Sequence, residues 1–555
     1  MQIIHSTLTF ILIYSTLYCY GFALSNKIYK NKKVDIFFTI LTGYFAVGTI
    51  TLILHFFLKI NNFVSIFFIT SSLIIFYFFH NKINIKKNFL YILIILLLSF
   101  FLFGYSDHPI DTNMYHHPYV SYLKSEKIIF AVANIQFRFG HISFLQYVQS
   151  ALSNDYLHEI SLASINIIFY ICFIIFISEK IINTKKFNYN FLINVLFACF
   201  LLIKFARYRE YGNDLIPLLV SIYFLIQILE INKNKIFTNT DLMNFSLLFM
   251  AFIFAHKISY IFVVLIFLPL FNFRKLEFLR ETNIKYLLIF FIMFIPWLIK
   301  NYITTSCFAY PVEISCVSNT LFTLSGLAEP SNASWLSELW AKAFIAHPNW
   351  REIDLDVYMS GLNWVPTWIE SHFIKILEIM SPLFFIIFIF TFFLFFKSKK
   401  FLIKRRSKNK SNKYLILWST ILFGLSIWFF KAPTFRYGSF YIISFVILTY
   451  ILILNFFFKE KSSVHLKFFK VIFLISLLFF ITKNSLRIYK SQTKLFPKTF
   501  SFQNIQIFNE VNNDGLQLLK ATTDVCYYTK NICSHEIPKD IRIIKIGSYY
   551  MLVPK

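Results

Sequence analysis

The chain is dominated by apolar runs of roughly 17–25 residues, the length that carries an α-helix across the hydrocarbon core of a bilayer. Such runs read at 3–24, 35–58, 62–80, 88–104, 158–178, 189–207, 212–230, 285–300, 372–396, 414–430, 438–458 and 466–482. A further stretch, 242–271, is long enough for two short helices broken at His256-Lys257. In lipid every backbone N–H and C=O must be satisfied within the protein, so a succession of such runs folds as packed helices. With 57% hydrophobic residues in 555, no soluble globular fold fits. The expected fold class is an all-α polytopic membrane protein with about 14 transmembrane helices.

Lys and Arg orient those helices. The connections 25–34, 81–88, 179–188, 231–241, 272–285, 397–413 and 459–470 fall on one side and hold about 29 basic residues. The opposite connections, without the C-terminal tail, hold about 10 over more residues, and this asymmetry marks the first side as cytoplasmic. The segment 397–413, with nine basic and no acidic residues, is its strongest marker. The formal charge of +27 is therefore a topology signal, and no nucleic-acid partner is expected. The run 1–24 lacks the basic start of a cleaved secretory signal and reads as a permanent helix.

Three connections on the extracytoplasmic side are long: 105–157, 301–371 and the tail 483–555. They divide the chain into N-terminal helices (1–104), a first loop (105–157), a transmembrane core (158–300), a second loop (301–371), C-terminal helices (372–482) and a small α/β appendage (483–555). In the first loop Tyr115, Tyr119 and Tyr122 have helical spacing around Pro118, which predicts an amphipathic segment lying flat on the membrane. A second such segment reads at 334–348, and the alternation over 542–546 predicts a strand. On an oxidising face the close pairs Cys307 with Cys316 and Cys526 with Cys533 are expected as disulfides, since neither has a zinc-site spacing.

The chemistry concentrates in 105–141, where Asp107, Asp111, Tyr115, His116, His117, Glu126 and Arg138 gather after a hundred residues nearly free of acidic groups. Asp111, just after a span, can be half desolvated with a raised pKa, as a general base requires. It can equally be the N-cap of a helix beginning at Thr112. Asp107, Asp111 and His116 together can hold a divalent cation, although their spacing matches no known metal motif. Basic residues also occur on this face against the positive-inside rule: Arg138, Arg207, Arg209, Lys257, Lys300, Lys431 and Arg436. They read either as snorkelling side chains or as phosphate binders, with Arg436 first, Arg138 second and Lys257 a further candidate. No GxxxxGK[ST] or GxGxxG stretch supports ATP hydrolysis or dinucleotide binding.

Asp111-x-x-x-Tyr115-His116, Arg138-Phe139-Gly140, Lys300-Asn301-Tyr302 followed by Tyr310-Pro311, Pro433-x-x-Arg436-Tyr437-Gly438 and the pair Cys526 and Cys533 carry a resemblance. Over about 110–535 the chain resembles an uncharacterised group of bacterial polytopic membrane proteins similar to the GT-C-type glycosyltransferases, which use lipid-phosphate sugar donors. The resemblance implies a GT-C-like core, an acidic catalytic residue at Asp111, and a site on the extracytoplasmic side of a bacterial cytoplasmic membrane. The WWDYG-like motif of oligosaccharyltransferases is absent, which argues against protein N-glycosylation in that manner.

The implied function is transfer of a sugar from a polyprenyl-phosphate donor to an acceptor in cell-envelope glycan assembly, with no soluble cofactor and with the metal requirement open. A transporter or flippase of a lipid-linked or anionic solute is the alternative, as is a polysaccharide polymerase or ligase. The absence of a visible internal repeat counts against the transporter. The topology predicts that reporter fusions after residues 330 and 405 give opposite compartments; one compartment for both would overturn it.

Overall fold

The structure is a computed structural model that describes residues 2–28, 34–103, 111–157, 160–204, 212–231, 238–270, 284–317, 322–397, 408–457, 463–491, 507–513, 515–523, 525–526, 529, 531–538 and 541–554. Four apolar helices open the chain, α1 (Gln2–Ile28), α2 (Ile36–His55), α3 (Asn62–Phe79) and α4 (Ile85–Phe103). Asp35 caps α2 by accepting from Phe38 N at 2.9 Å, and its other oxygen takes the Tyr223 hydroxyl at 2.9 Å. Helices α1 and α2 cross in near backbone contact: a Cβ on Gly21 would lie 1.8 Å from Thr39 O, and one on Gly43 1.8 Å from Leu17 O. Small residues at such a crossing replace the hydrophobic drive that lipid cannot supply.

The first long connection forms a π-helical turn, Thr112–His116, then α5 (His117–Ser125) and α6 (Phe144–Ala151). The wide turn precedes Pro118, which has no N–H to donate and whose ring crowds the preceding turn. Next come α7 (Ser161–Asn183), α8 (Tyr189–Lys204) and α9 (Leu215–Glu230), almost wholly buried at the centre of the bundle. Helix α10 (Asn239–His256) stops where the sequence predicts a break: Lys257 is extended, and a 3-10 segment, Ile258–Leu270, carries the chain on. Then follow α11 (Ile284–Thr305), α12 (Pro330–Ala341), α13 (Ile374–Lys397), α14 (Lys408–Lys431), α15 (Phe435–Phe457) and α16 (Ser463–Ser491).

Among the described residues nine helices are long and apolar enough to cross a membrane, with four shorter apolar helices beside them. The chain is a multi-pass helical membrane protein.

The tail departs from expectation in two ways. Its first residues, to Ser491, continue α16, and beyond them the described elements are strands alone: β1 (Ile507–Asn513), β2 (Leu516–Ala521) and β3 (Ile532–Ser534) make one sheet, and β4 (Ile541–Ile546) pairs antiparallel with β5 (Tyr549–Pro554). Nor is it an appendage. Phe130 N donates to Tyr550 O at 2.9 Å and Leu552 N to Phe130 O at 3.1 Å, because the extended stretch before Ala131 offers an open edge that β5 completes. Cys526 N reaches Asn113 O at 3.0 Å and Thr529 N reaches Ser121 Oγ at 3.1 Å.

Covered in this way, α5 does not lie flat on a membrane: Tyr119 and Tyr122 are fully buried in protein. Helix α12 keeps the expected two-sided character, with Ala333 and Leu339 buried and Trp335 and Trp340 exposed. Asn134 joins all three long segments, donating from Nδ2 to Thr323 O (2.9 Å) and Leu552 O (3.1 Å) while its Oδ1 accepts from Ser325 N (3.1 Å). Cys307 is bonded to Cys316 and Cys526 to Cys533.

The α1–α2 crossing yields a stability prediction. Gly43→Leu should lower the melting temperature of the detergent-solubilised protein clearly, since overpacking costs about 1–3 kcal/mol even where side chains can yield and here the obstacle is backbone. Ile4→Leu, at an exposed position, should leave it unchanged.

Candidate functional site

Where the three long segments meet the helix ends lies a cavity of ≈ 1790 Å³. Its wall takes residues from the π-turn, from 137–142, from the start of α9, from the break after α10, from α11 and α12, from the α14–α15 connection, and from the tail. Asp111, His116, Arg138, Lys257 and Arg436 all line it.

Arg436 Nη1 donates to Asp111 Oδ2 at 2.5 Å across 325 residues of sequence. The connection carrying Arg436 is held tightly. Trp368 Nε1 donates to Pro433 O (2.5 Å), Trp428 Nε1 to Thr434 O (2.8 Å), and Tyr260 shares a hydrogen bond with Ser439 (2.9 Å). Gly438 is required there, since a Cβ would sit 2.4 Å from the Trp428 ring. Arg436 Nη2 also donates to the Tyr437 hydroxyl at 3.1 Å.

Asp111 heads the π-turn, but its side chain makes no capping bond. The raised pKa expected of it is not found either. Burial pulls the carboxyl up, yet the charge and hydrogen bond of Arg436, helped by His116 and Arg138, outweigh burial and hold it below the usual aspartate value. With Arg436 in place Asp111 is an ionised, weakly basic carboxylate.

His116 is buried in the wall. Gln146 holds its Oε1 toward Ser143, so Gln146 Nε2 donates to His116 Nδ1 at 2.9 Å, which leaves the proton of the neutral ring on Nε2. Burial first, then Arg436 and Lys257 against Asp111, push its pKa down to about 4. His116 is a neutral donor, not a base.

Arg138 Nη1 bonds Glu536 Oε1 at 2.9 Å, with its guanidinium 4.5 Å from the Phe137 ring centroid and 5.8 Å from that of Tyr115. Gly140 makes room for Tyr310, whose ring would lie 2.5 Å from a Cβ there. Lys257 is ion-paired with Asp214 and sits over the Tyr437 ring at 4.1 Å, while the Arg436 guanidinium lies 5.0 Å from the same centroid. Lys431 bonds Glu338 of α12 at 3.2 Å.

Asp107, Arg207 and Arg209 lie outside the described residues. Among those described, no group of three or more His, Cys, Asp or Glu is placed to hold a metal ion. Sequence reasoning missed Glu536 and His535, which follow Cys533-Ser534 in the tail, and Asp214, which falls inside the apolar run 212–230. The polar pair beside a cysteine was the one available signal.

A multi-pass helical bundle with a charged cavity at its helix ends thus defines the class. Residues 3–443 match the family described as domain of unknown function DUF8201, and the chain belongs to that family. Comparison with curated proteins and with solved structures finds no match.

Because the folded Asp111 pKa is depressed, the carboxylate contributes stability above the ordinary aspartate value and loses it as pH falls through the depressed one. Melting temperatures of wild type and Asp111→Asn should therefore differ at neutral pH and converge on acidification. A gap that widened with acid would contradict the pair's role.

Proposed function

We propose that this protein is a membrane-embedded glycosyltransferase that moves a sugar from a polyprenyl-phosphate donor to an acceptor hydroxyl on the extracytoplasmic side of a bacterial cytoplasmic membrane. The observation that carries the reading is the Asp111–Arg436 pair. The carboxylate that the GT-C resemblance places as the catalytic acidic residue and the guanidinium that leads the candidate phosphate binders, far apart in sequence, touch within one cavity. Its setting at the ends of apolar helices suits a ligand with a lipid tail and a wet head group.

In this reading the donor phosphate competes with Asp111 for Arg436. Once the guanidinium turns to phosphate oxygen, Asp111 loses the largest influence that depresses its pKa, burial weighs more heavily against what Arg138 still supplies, and the carboxylate becomes a stronger base. It takes the acceptor's proton as the acceptor oxygen bonds the sugar's anomeric carbon. The bond from that carbon to the phosphate oxygen breaks, and its electron pair stays on the phosphate, where Arg436 and Arg138 stabilise the new charge. His116 Nε2–H is a neutral donor for a sugar hydroxyl in the same space.

Asp111→Asn should lower product formation by about 10²–10⁴ in membranes while the purified variant keeps its lipid donor, since an amide cannot accept the proton. Arg436→Ala should lose bound lipid as well as turnover, because that cation meets phosphate before and during the reaction. Near wild-type product formation by Asp111→Asn would sink the proposal and move a transporter ahead of it. Mass spectrometry of retained lipid and a membrane transfer assay read the two quantities.

A further inference from the structure

The charged side chains lining the cavity cancel, five Lys or Arg against five Asp or Glu. The three candidate phosphate binders are each matched: Arg436 by Asp111, Arg138 by Glu536 and Lys257 by Asp214. The wall alone therefore gives little reason for an anion to enter.

Lys300 is different. It sits in α11, completely buried, and among the described residues no carboxylate pairs with it. Its Nζ has Asn301 Oδ1 at 3.3 Å, the Trp297 ring at 4.7 Å and the Tyr119 ring at 6.0 Å. Asn301 is oriented for this by donating its Nδ2 to Phe308 O at 2.9 Å. Trp297 and Asn301 both line the cavity, so the amine of Lys300 stands one side chain behind the wall. Its field reaches the wall residue His141, whose pKa is pushed down to about 4 by burial first, then by Arg138, then by Lys300.

We infer that Lys300 makes the cavity selective for an anionic head group, acting as a positioning residue through the wall without touching the ligand. The inference rests on the proposed lipid-phosphate ligand and adds the source of its selectivity. An unpaired amine in a dry, low-dielectric site is costly to keep charged, and a phosphate that reaches the cavity favours its charged form over a longer range than it would in water. Bound phosphate supplies the counter-charge that the chain withholds.

The test compares farnesyl phosphate with farnesol, two probes sharing a chain and differing in charge, on the full-length protein in detergent. Wild type should prefer farnesyl phosphate. Lys300→Met should weaken its binding by about tenfold to a hundredfold, the size expected of a nearby charge at intermediate dielectric, and leave farnesol binding unchanged. Its melting temperature should not fall, since removing an unpaired buried amine relieves a desolvation cost. Lys300→Arg should keep the preference, and Lys300→Gln provides a second neutral variant that can still bond Asn301. A wild-type preference retained in both neutral variants overturns this inference alone, as does equal loss of both probes. No preference in wild type overturns the inference and the proposed function together.

Discussion

A charge withdrawn from water must be matched or it destabilises the protein that buries it. In this protein that requirement draws distant stretches of chain to one place. Lys257, at the break after α10, is buried against Asp214 at the start of α9, and Arg138 in the first long connection against Glu536 of the tail; Arg436, after α14, meets Asp111 at the head of that connection on the cavity wall, where the two side chains stay 43% and 35% exposed. Each pair joins segments that lipid-facing apolar contact would leave free to slide, so the same interactions assemble the cavity and hold its geometry.

Around the pairs, close packing and backbone bonding remove what freedom is left. Gly438 admits the Trp428 ring against the connection that carries Arg436, and Gly140 admits Tyr310 beside Arg138. Asn134 gathers the first connection, the second connection and β5 through one amide. The tail is consequently structural to the site, and its contacts at Asn113 and Ser121 help to cover the aromatic helix α5.

The pairing also shapes the proposed chemistry. A carboxylate locked to a guanidinium is a poor base, and a guanidinium locked to a carboxylate is a poor phosphate binder, so in the proposed reaction each is released by the arrival of substrate. A site that rests in this neutralised form limits stray proton transfer until an anionic ligand separates the partners. Lys300, behind the wall and with no carboxylate partner among the described residues, would favour an anionic ligand over a neutral one in that exchange.

The sequence by itself determined what depends on local composition. Runs of apolar residues dictate helices because lipid offers the backbone no other partner, and the polar interruption at His256-Lys257 appears as the end of α10. The same locality made Asp111, Arg138, His116, Lys257 and Arg436 legible as candidates, since charges stand out against apolar surroundings. What each would face was not legible. The raised pKa expected at Asp111 reversed because Arg436 lies beside it, and no pattern within either segment encodes a meeting across 325 residues. Glu536 and Asp214 escaped notice because a carboxylate in a polar tail or before a helix is ordinary until its cation is seen. The tertiary structure alone decided those pairings, the burial of α5 and the isolation of Lys300, because Coulomb energy and desolvation depend on distance in space and not on distance along the chain.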